Sequence, residues 1–319
     1  MTSLPEYLAI PLIQNMFVAT AVVCVLCGII GAYVVVNRMV SVTGGIAHTV
    51  FGGVGFAYYV SSVFLVSWLT PMMGALLFAV IAAIIMTLLK RIKNIRQDTS
   101  IGVIWAVGMA LGVIFMCFVD RTKVIPASFE SILFGDVLYV GTQTLFVMIV
   151  LAIAIIAIVA FLYRDFLILT FDETQAKISG LRTGLLDLVL YLLIAITCVM
   201  VSNVVGIIMI IALVTIPSAI ANLFSDSLKE MMAIGTLLSL GLSIFGLFMA
   251  LALNTPPGST VVLVIGLAFV SALMINRIQK RGKATEKSPS NRYDMRNKDD
   301  PSLSRVGDIK TIEARFHFR

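Results

Sequence analysis

Long apolar runs separated by short polar punctuation make up most of this chain. A membrane-spanning helix needs about 20 mostly apolar residues. On that measure nine segments stand out, roughly Ile10 to Val36, Gly44 to Val60, Val66 to Leu89, Ile101 to Val119, Thr142 to Tyr163, Gly184 to Ser202, Val204 to Phe224, Met231 to Leu253 and Ser259 to Ile275. Their apolar positions are continuous and not alternating, which predicts helices and argues against a barrel. The expected fold is therefore all-α, a polytopic transmembrane helix bundle of eight or nine membrane segments. The second segment decides the number, because it is among the shortest and is the richest in glycine. It reads either as a span or as a broken, re-entrant stretch. Pro217, inside the seventh segment, must free a carbonyl and bend its helix.

Composition supports the same class. The 319 residues are 60% hydrophobic and only 13% charged, with a mean hydropathy of +1.04, whereas soluble domains run at about 25% charged. The net charge of +6 could suggest a nucleic-acid partner, so its location matters. Twelve of the 23 Lys and Arg and six of the 17 Asp and Glu lie from Arg277 onward, leaving eleven of each sign before it. The excess belongs to a basic tail after the last apolar run, as expected of a cytoplasmic end, and no nucleic-acid motif accompanies it. The chain thus divides into a transmembrane domain, residues 1–276, and a disordered, cytoplasmic C-terminal tail, residues 277–319. His317, in that tail, reads as a solvated terminal residue.

Basic residues also set the orientation. Lys90, Arg91, Lys93 and Arg96 follow the third segment, Arg164, Lys177 and Arg182 follow the fifth, and Lys229 precedes the eighth. All of them can share the cytoplasmic side with the tail. The segments Asp120 to Gly141 and Asn254 to Gly258 then lie outside, as does the N-terminus if all nine segments span. A multi-pass protein of the plasma or inner membrane is expected.

Candidate chemistry is sparse. His48 is the only histidine before His317, and at helical spacing it shares a stripe with Gly44, Gly52 and Gly55. Such a face is almost bare backbone. An ionisable group there either lines a protein interior or ion path, where imidazole suits a borderline metal such as zinc, or is a hydrogen-bonded packing residue. Cys24 and Cys27 form a C-x-x-C without a second pair, and they read as small packing residues in a helix. The loop Asp165 to Arg182 contains a short helix with both ends marked. Asp172 can cap its start with Gln175 three residues on, and Gly180 can supply a left-handed stop. So short a helix is unstable alone in water, and it lies either on the bundle's own surface or against another subunit.

Taken together, these stretches resemble the integral-membrane permeases of ATP-binding-cassette importers for zinc, manganese and iron, over about Ile10 to Ile275. The similar stretches are Arg38 with Gly44 to His48 and Gly52-Gly53, Asp98 to Gly102, Leu133 to Leu138, Asp172-Glu173 with Ala176 and Gly180, Leu213 to Ala221 with Pro217, and Asn254 to Gly258. The resemblance implies a homodimer of permeases around a central path. Separate ATPase subunits would bind the cytoplasmic loop 165–182, and an extracytoplasmic binding protein would deliver the metal. It implies no permanently bound cofactor, the divalent metal ion being cargo. His48 would contact that metal. Asp172, Glu173, Gln175, Ala176 and Gly180 would form the coupling helix, with Ala176 and Gly180 permitting close approach to the ATPase. Gly44, Gly52 and Pro217 would shape the path. Two positions depart from the family pattern: Gly44 stands where the family has an aspartate and Gly52 where it has a proline. Losing the carboxylate removes a hard oxygen ligand, which favours zinc or iron over manganese.

Two other functions fit the sequence less well. A gradient-driven secondary transporter of metal or another small solute would carry coupling carboxylates at mid-membrane, yet the only acid clearly within a span is Asp187, one turn into the sixth. An enzyme is not expected, for there is no H-E-x-x-H, no G-x-S-x-G and no Walker A loop.

Overall fold

The computed structural model describes residues 11–65, 68–92, 96–134, 140–207 and 209–286. Among them all regular structure is helical. In chain order the helices are α1 (Pro11–Val36), α2 (Val40–Phe64), α3 (Pro71–Lys90), α4 (Gln97–Cys117), α5 (Phe129–Phe134) and α6 (Thr142–Phe161). Then follow α7 (Tyr163–Phe171), α8 (Glu173–Ile178), α9 (Thr183–Val205), α10 (Ile210–Phe224), α11 (Leu228–Leu253) and α12 (Pro257–Glu286). Lys93, Asp136, most of Leu133 to Leu138, and residues 287–319 with His317 lie outside the described residues. One compact unit ends at Val270; the described part of the second, from Ser271 on, is the end of α12, which continues past Arg277.

Among the described residues eight helices are long and apolar enough to cross a membrane, and α10 is an apolar helix of only 15 residues. The glycine-rich second segment is therefore not broken. It is the uninterrupted 25-residue α2, about 37 Å long at 1.5 Å per residue. The short element is the one that holds Pro217. Glycines leave α2 intact because its neighbours press against them. A Cβ on Gly53 would run into the Gly74 carbonyl of α3, and one on Gly55 would lie 2.6 Å from the Gly112 carbonyl of α4. α10 is shortened from its start: α9 ends at Gly206, whose φ of +88° is open to glycine, and a short turn precedes Ile210.

α1 contacts α6, α9, α10 and α11, while α2 lies against α3 and α4; α9 and α10 touch both groups. α2 starts directly after α1 because the chain reverses at Arg38. There a φ of +56° lets the N–H groups of Arg38 and Met39 close on the carbonyls of Val35 and Val34. Polar contacts sort to two ends of the bundle. At one end Tyr58 accepts from the Ala127 N–H at 3.4 Å, and Asn15 donates to Thr142 at 3.2 Å. At the other Asn37 donates to Thr170 at 3.2 Å, Gln97 to Tyr191 at 3.2 Å, and Lys90 pairs with Asp187. This sorting matches an odd number of membrane crossings between the two sets of loops.

Candidate metal-transit site and docking segment

His48 stands on α2 in the stripe that meets α4. Carbonyl-to-glycine contacts fix the spacing of the two helices, for a Cβ on Gly52 would lie 2.9 Å from the Gly108 carbonyl. Backbones that close hold any larger side chain on the same stripe in one place. Trp105, one turn before Gly108 on α4, is the side chain that His48 meets. The imidazole stacks on the indole with ring centroids 4.3 Å apart and planes 15° from parallel. Gly44, one turn before His48, faces the same wall. A Cβ there would lie 3.3 Å from Trp105 Cζ3 and 3.1 Å from Ile211 Cδ1 of α10.

His48 is half-buried, and its Nδ1 is shut from solvent without a hydrogen-bond partner. Buried polar atoms are as a rule paired, so the ring has a nitrogen that its own chain leaves unused. Within the membrane spans it is the only Asp, Glu, Lys, Arg or His more than two helical turns from either end. Among the described residues no three of His, Cys, Asp and Glu converge as metal ligands. A cation at His48 would therefore find no such cluster among the described residues of one chain. α10 reaches this wall through Ile211, and Pro217 lies further along the same helix. It is buried beside Ser218, whose hydroxyl donates to the Cys27 carbonyl of α1 at 3.4 Å. Cys24 and Cys27 are fully buried, and the Cys24 thiol donates to the Ser239 carbonyl at 3.4 Å, as packing residues do.

The segment after α6 is built as α7 running straight into α8. Asp172 caps α8, its carboxylate accepting the Gln175 N–H at 2.8 Å. The reciprocal half of a capping box is absent, because the Asp172 N–H already closes the last turn of α7 on the Ile168 carbonyl. At the other end Gly180 has φ +78°, its N–H meets the Lys177 carbonyl, and the Leu181 N–H meets that of Ala176. Those two bonds form a Schellman stop. Glu173 and Lys177 pair at 2.7 Å along the exposed face. The hydrogen bond from Lys177 holds the Glu173 carboxyl below its ordinary value.

Ala176 corrects one expectation. It is fully buried within its own chain, so the close approach its small side chain permits is to the bundle and not to a partner. Gly180, by contrast, is exposed, with open space at its Cβ position. Two residues that sequence reasoning passed over flank the exposed face: Phe171 is 68% and Ile178 76% accessible. Lys90, ending α3, donates to both carboxylate oxygens of Asp187 near the start of α9, each at 2.8 Å.

Comparison with known proteins fits this arrangement. The model of the ABC 3 transport family matches residues 9–276. The chain belongs to that family. It is 30% identical over 282 residues to a "Probable metal transport system membrane protein" of Chlamydia trachomatis, covering 88% of this chain and 95% of the relative. A manganese transport system membrane protein of Listeria monocytogenes is 29% identical over 262 residues, 82% of this chain and 90% of that one. Among solved structures, PsaBC from Streptococcus pneumoniae in complex with Fab is similar with a TM-score of 0.73 and 28% identity, covering 84% of this chain and 93% of that one. As a member of the ABC 3 family the chain is a multi-pass membrane subunit of a transporter.

Proposed function

We propose that this chain is the permease subunit of an ABC importer for a divalent transition metal ion, working as a homodimer with separate ATPase subunits and an extracytoplasmic binding protein. The observation that carries the metal assignment is His48, a solitary, half-exposed imidazole within a span, whose buried Nδ1 has no partner in its own chain. Family membership and the metal-transport names of the relatives support it. A second copy of the chain would bring a second His48 to the path, making a two-nitrogen site that releases its ion readily. The end of the bundle that holds Lys90, Arg91, Lys177 and Arg182 is cytoplasmic, by the positive-inside rule. That orientation puts the capped α8, with exposed Phe171 and Ile178, where an ATPase subunit docks.

The cargo is zinc or iron in preference to manganese. Gly44 offers no carboxylate beside His48, and hard manganese depends on oxygen ligands more than zinc does. The manganese name of the Listeria relative makes this choice the one to test first. Elemental analysis of cells with and without the chain under metal limitation should show zinc or iron falling when it is lost. His48→Ala should abolish that difference while the protein still reaches the membrane. An ATPase subunit should co-purify with the chain. Uptake by the purified chain alone on an ion gradient would overturn the importer reading.

A further inference from the structure

We propose that Trp105 is the residue that sets cation preference at His48, and that Trp105 and Ile211 together crowd the space a side chain at Gly44 would need. This inference rests on the reading of His48 as the cargo contact. Three observations carry it. The indole lies flat on the imidazole, 4.3 Å between centroids, so one face of the ring is covered and its plane is set. The same indole and Ile211 stand 3.3 Å and 3.1 Å from the position of a Cβ on Gly44, closer than ordinary contact. Trp105 is itself 38% exposed, so the stack lies open to whatever passes along that wall.

The chemistry follows from the geometry. A cation approaching His48 meets an imidazole edge, an aromatic face and aliphatic carbon, with no anionic oxygen on the adjacent turn. Such a wall favours an ion that bonds to nitrogen, and it penalises one that must keep a shell of oxygen ligands. Trp105 also fixes the ring plane, the orienting role that partners of metal-binding histidines usually play by hydrogen bonding. It acts through His48 and is a positioning residue. A carboxylate on the turn before His48 would crowd both the indole and the end of the Ile211 side chain, so it fits only if they give way.

The test uses the full transporter in cells depleted of other uptake systems, with radioactive zinc and radioactive manganese as probes. Trp105→Phe, which keeps a ring on the imidazole, should leave the zinc-to-manganese uptake ratio within about twofold of wild type. Trp105→Ala should lower that ratio by roughly tenfold, the size of effect seen when a partner orienting a metal ligand is lost. Gly44→Asp alone should cut uptake of both metals, since its side chain crowds Trp105 and Ile211 at once, and Gly44→Asp with Trp105→Ala, which leaves only the flexible end of Ile211 to shift, should restore transport in favour of manganese. Membrane abundance and elution of the solubilised protein as a single species establish that each variant is folded. If Trp105→Ala leaves the ratio unchanged, with uptake either intact or reduced equally for both metals, Trp105 is only a packing residue and the proposal falls. His48→Ala, run alongside, separates the two ideas. If it abolishes uptake while Trp105→Ala spares the ratio, the reading of His48 stands and only this inference fails; if His48→Ala transports normally, both fail.

Discussion

Lys90 holds both carboxylate oxygens of Asp187 at 2.8 Å, tying the last residue of α3 to the first turns of α9. The side chains are 29% and 13% exposed, so the pair is neither a free surface contact nor a dry one. Breaking an exposed pair costs up to about 1 kcal/mol, and breaking a buried one about 3–5 kcal/mol. Asp187→Ala should therefore lower the stability of the solubilised protein by about 1–2 kcal/mol. The Lys90→Met, Asp187→Leu double variant should recover most of that, since no unpaired charge remains. Thermal unfolding of the three proteins checks the order. Equal melting of the single and double variants would show that the loss comes from packing and not from a stranded charge.

Backbone contact at the glycines of α2 leads to a sharper contrast. Gly53 abuts the Gly74 carbonyl and Ala75 Cα of α3, whereas Gly102 on α4 has nothing within 4 Å of its Cβ position. Gly53→Ala must push two helices apart, and overpacking of this kind costs about 1–3 kcal/mol. Gly102→Ala meets open space and should be neutral or slightly stabilising, since alanine favours a helix by about 0.5–1 kcal/mol over glycine. Denaturation of the two variants in the same detergent checks the difference.

The fold was legible where hydropathy speaks for itself. Nine apolar runs became eight long helices and one short one. Which one is short could not be read, because the same glycines that suggest a broken helix also let α2 touch α3 and α4 without a gap, and only the neighbours distinguish the two. His48 stood out as a lone imidazole in an apolar run, and its stripe with Gly44, Gly52 and Gly55 followed from helical spacing. Trp105 was missed, although a signal existed. It lies three residues before Gly108 and seven before Gly112, on the stripe that those glycines mark as a packing face. What no spacing shows is that this stripe faces α2 and in which register. The buried side of α8 was hidden for a similar reason: six helical residues are too few to reveal a face, so Ala176 could be read outward when it points inward.

The Glu173 and Lys177 pair gives a pH dependence with a definite sign. Hydrogen bonding by Lys177 depresses the Glu173 carboxyl, so the pair's stabilisation is fully present above the unfolded carboxylate value of about 4.3. It is lost as pH falls through the lower folded value. Both side chains are half exposed or more, so the effect is limited to about 0.3–0.5 kcal/mol. Hydrogen exchange of the α8 amides should therefore stay flat from about pH 8 to 5 after correction for intrinsic rates, and protection should drop only in stronger acid. Lys177→Met should shrink the acid step, leaving the smaller part that Lys90 contributes. A step near neutral pH would mean that some other group governs α8.

Phe171 and Ile178 separate stability from partner binding. Each is mostly exposed, at 68% and 76%, so replacing either with serine removes little from the isolated chain's own packing. If α8 docks on an ATPase subunit, these two are the apolar anchors beside the charged Asp172 to Lys177 face, and losing a central anchor weakens an interface by about 2 kcal/mol or more. Phe171→Ser and Ile178→Ser should therefore each melt like the parent protein while releasing the ATPase subunit at least roughly thirtyfold more readily. Asp172→Ala acts by another route. It removes the cap, costs about 1 kcal/mol of local helix stability, and should weaken docking less than loss of either apolar residue. Retention of the ATPase on the immobilised permease, alongside a melting curve for each variant, measures both quantities. If the serine variants hold the ATPase as tightly as wild type, the exposed face of α8 is not where the subunit binds.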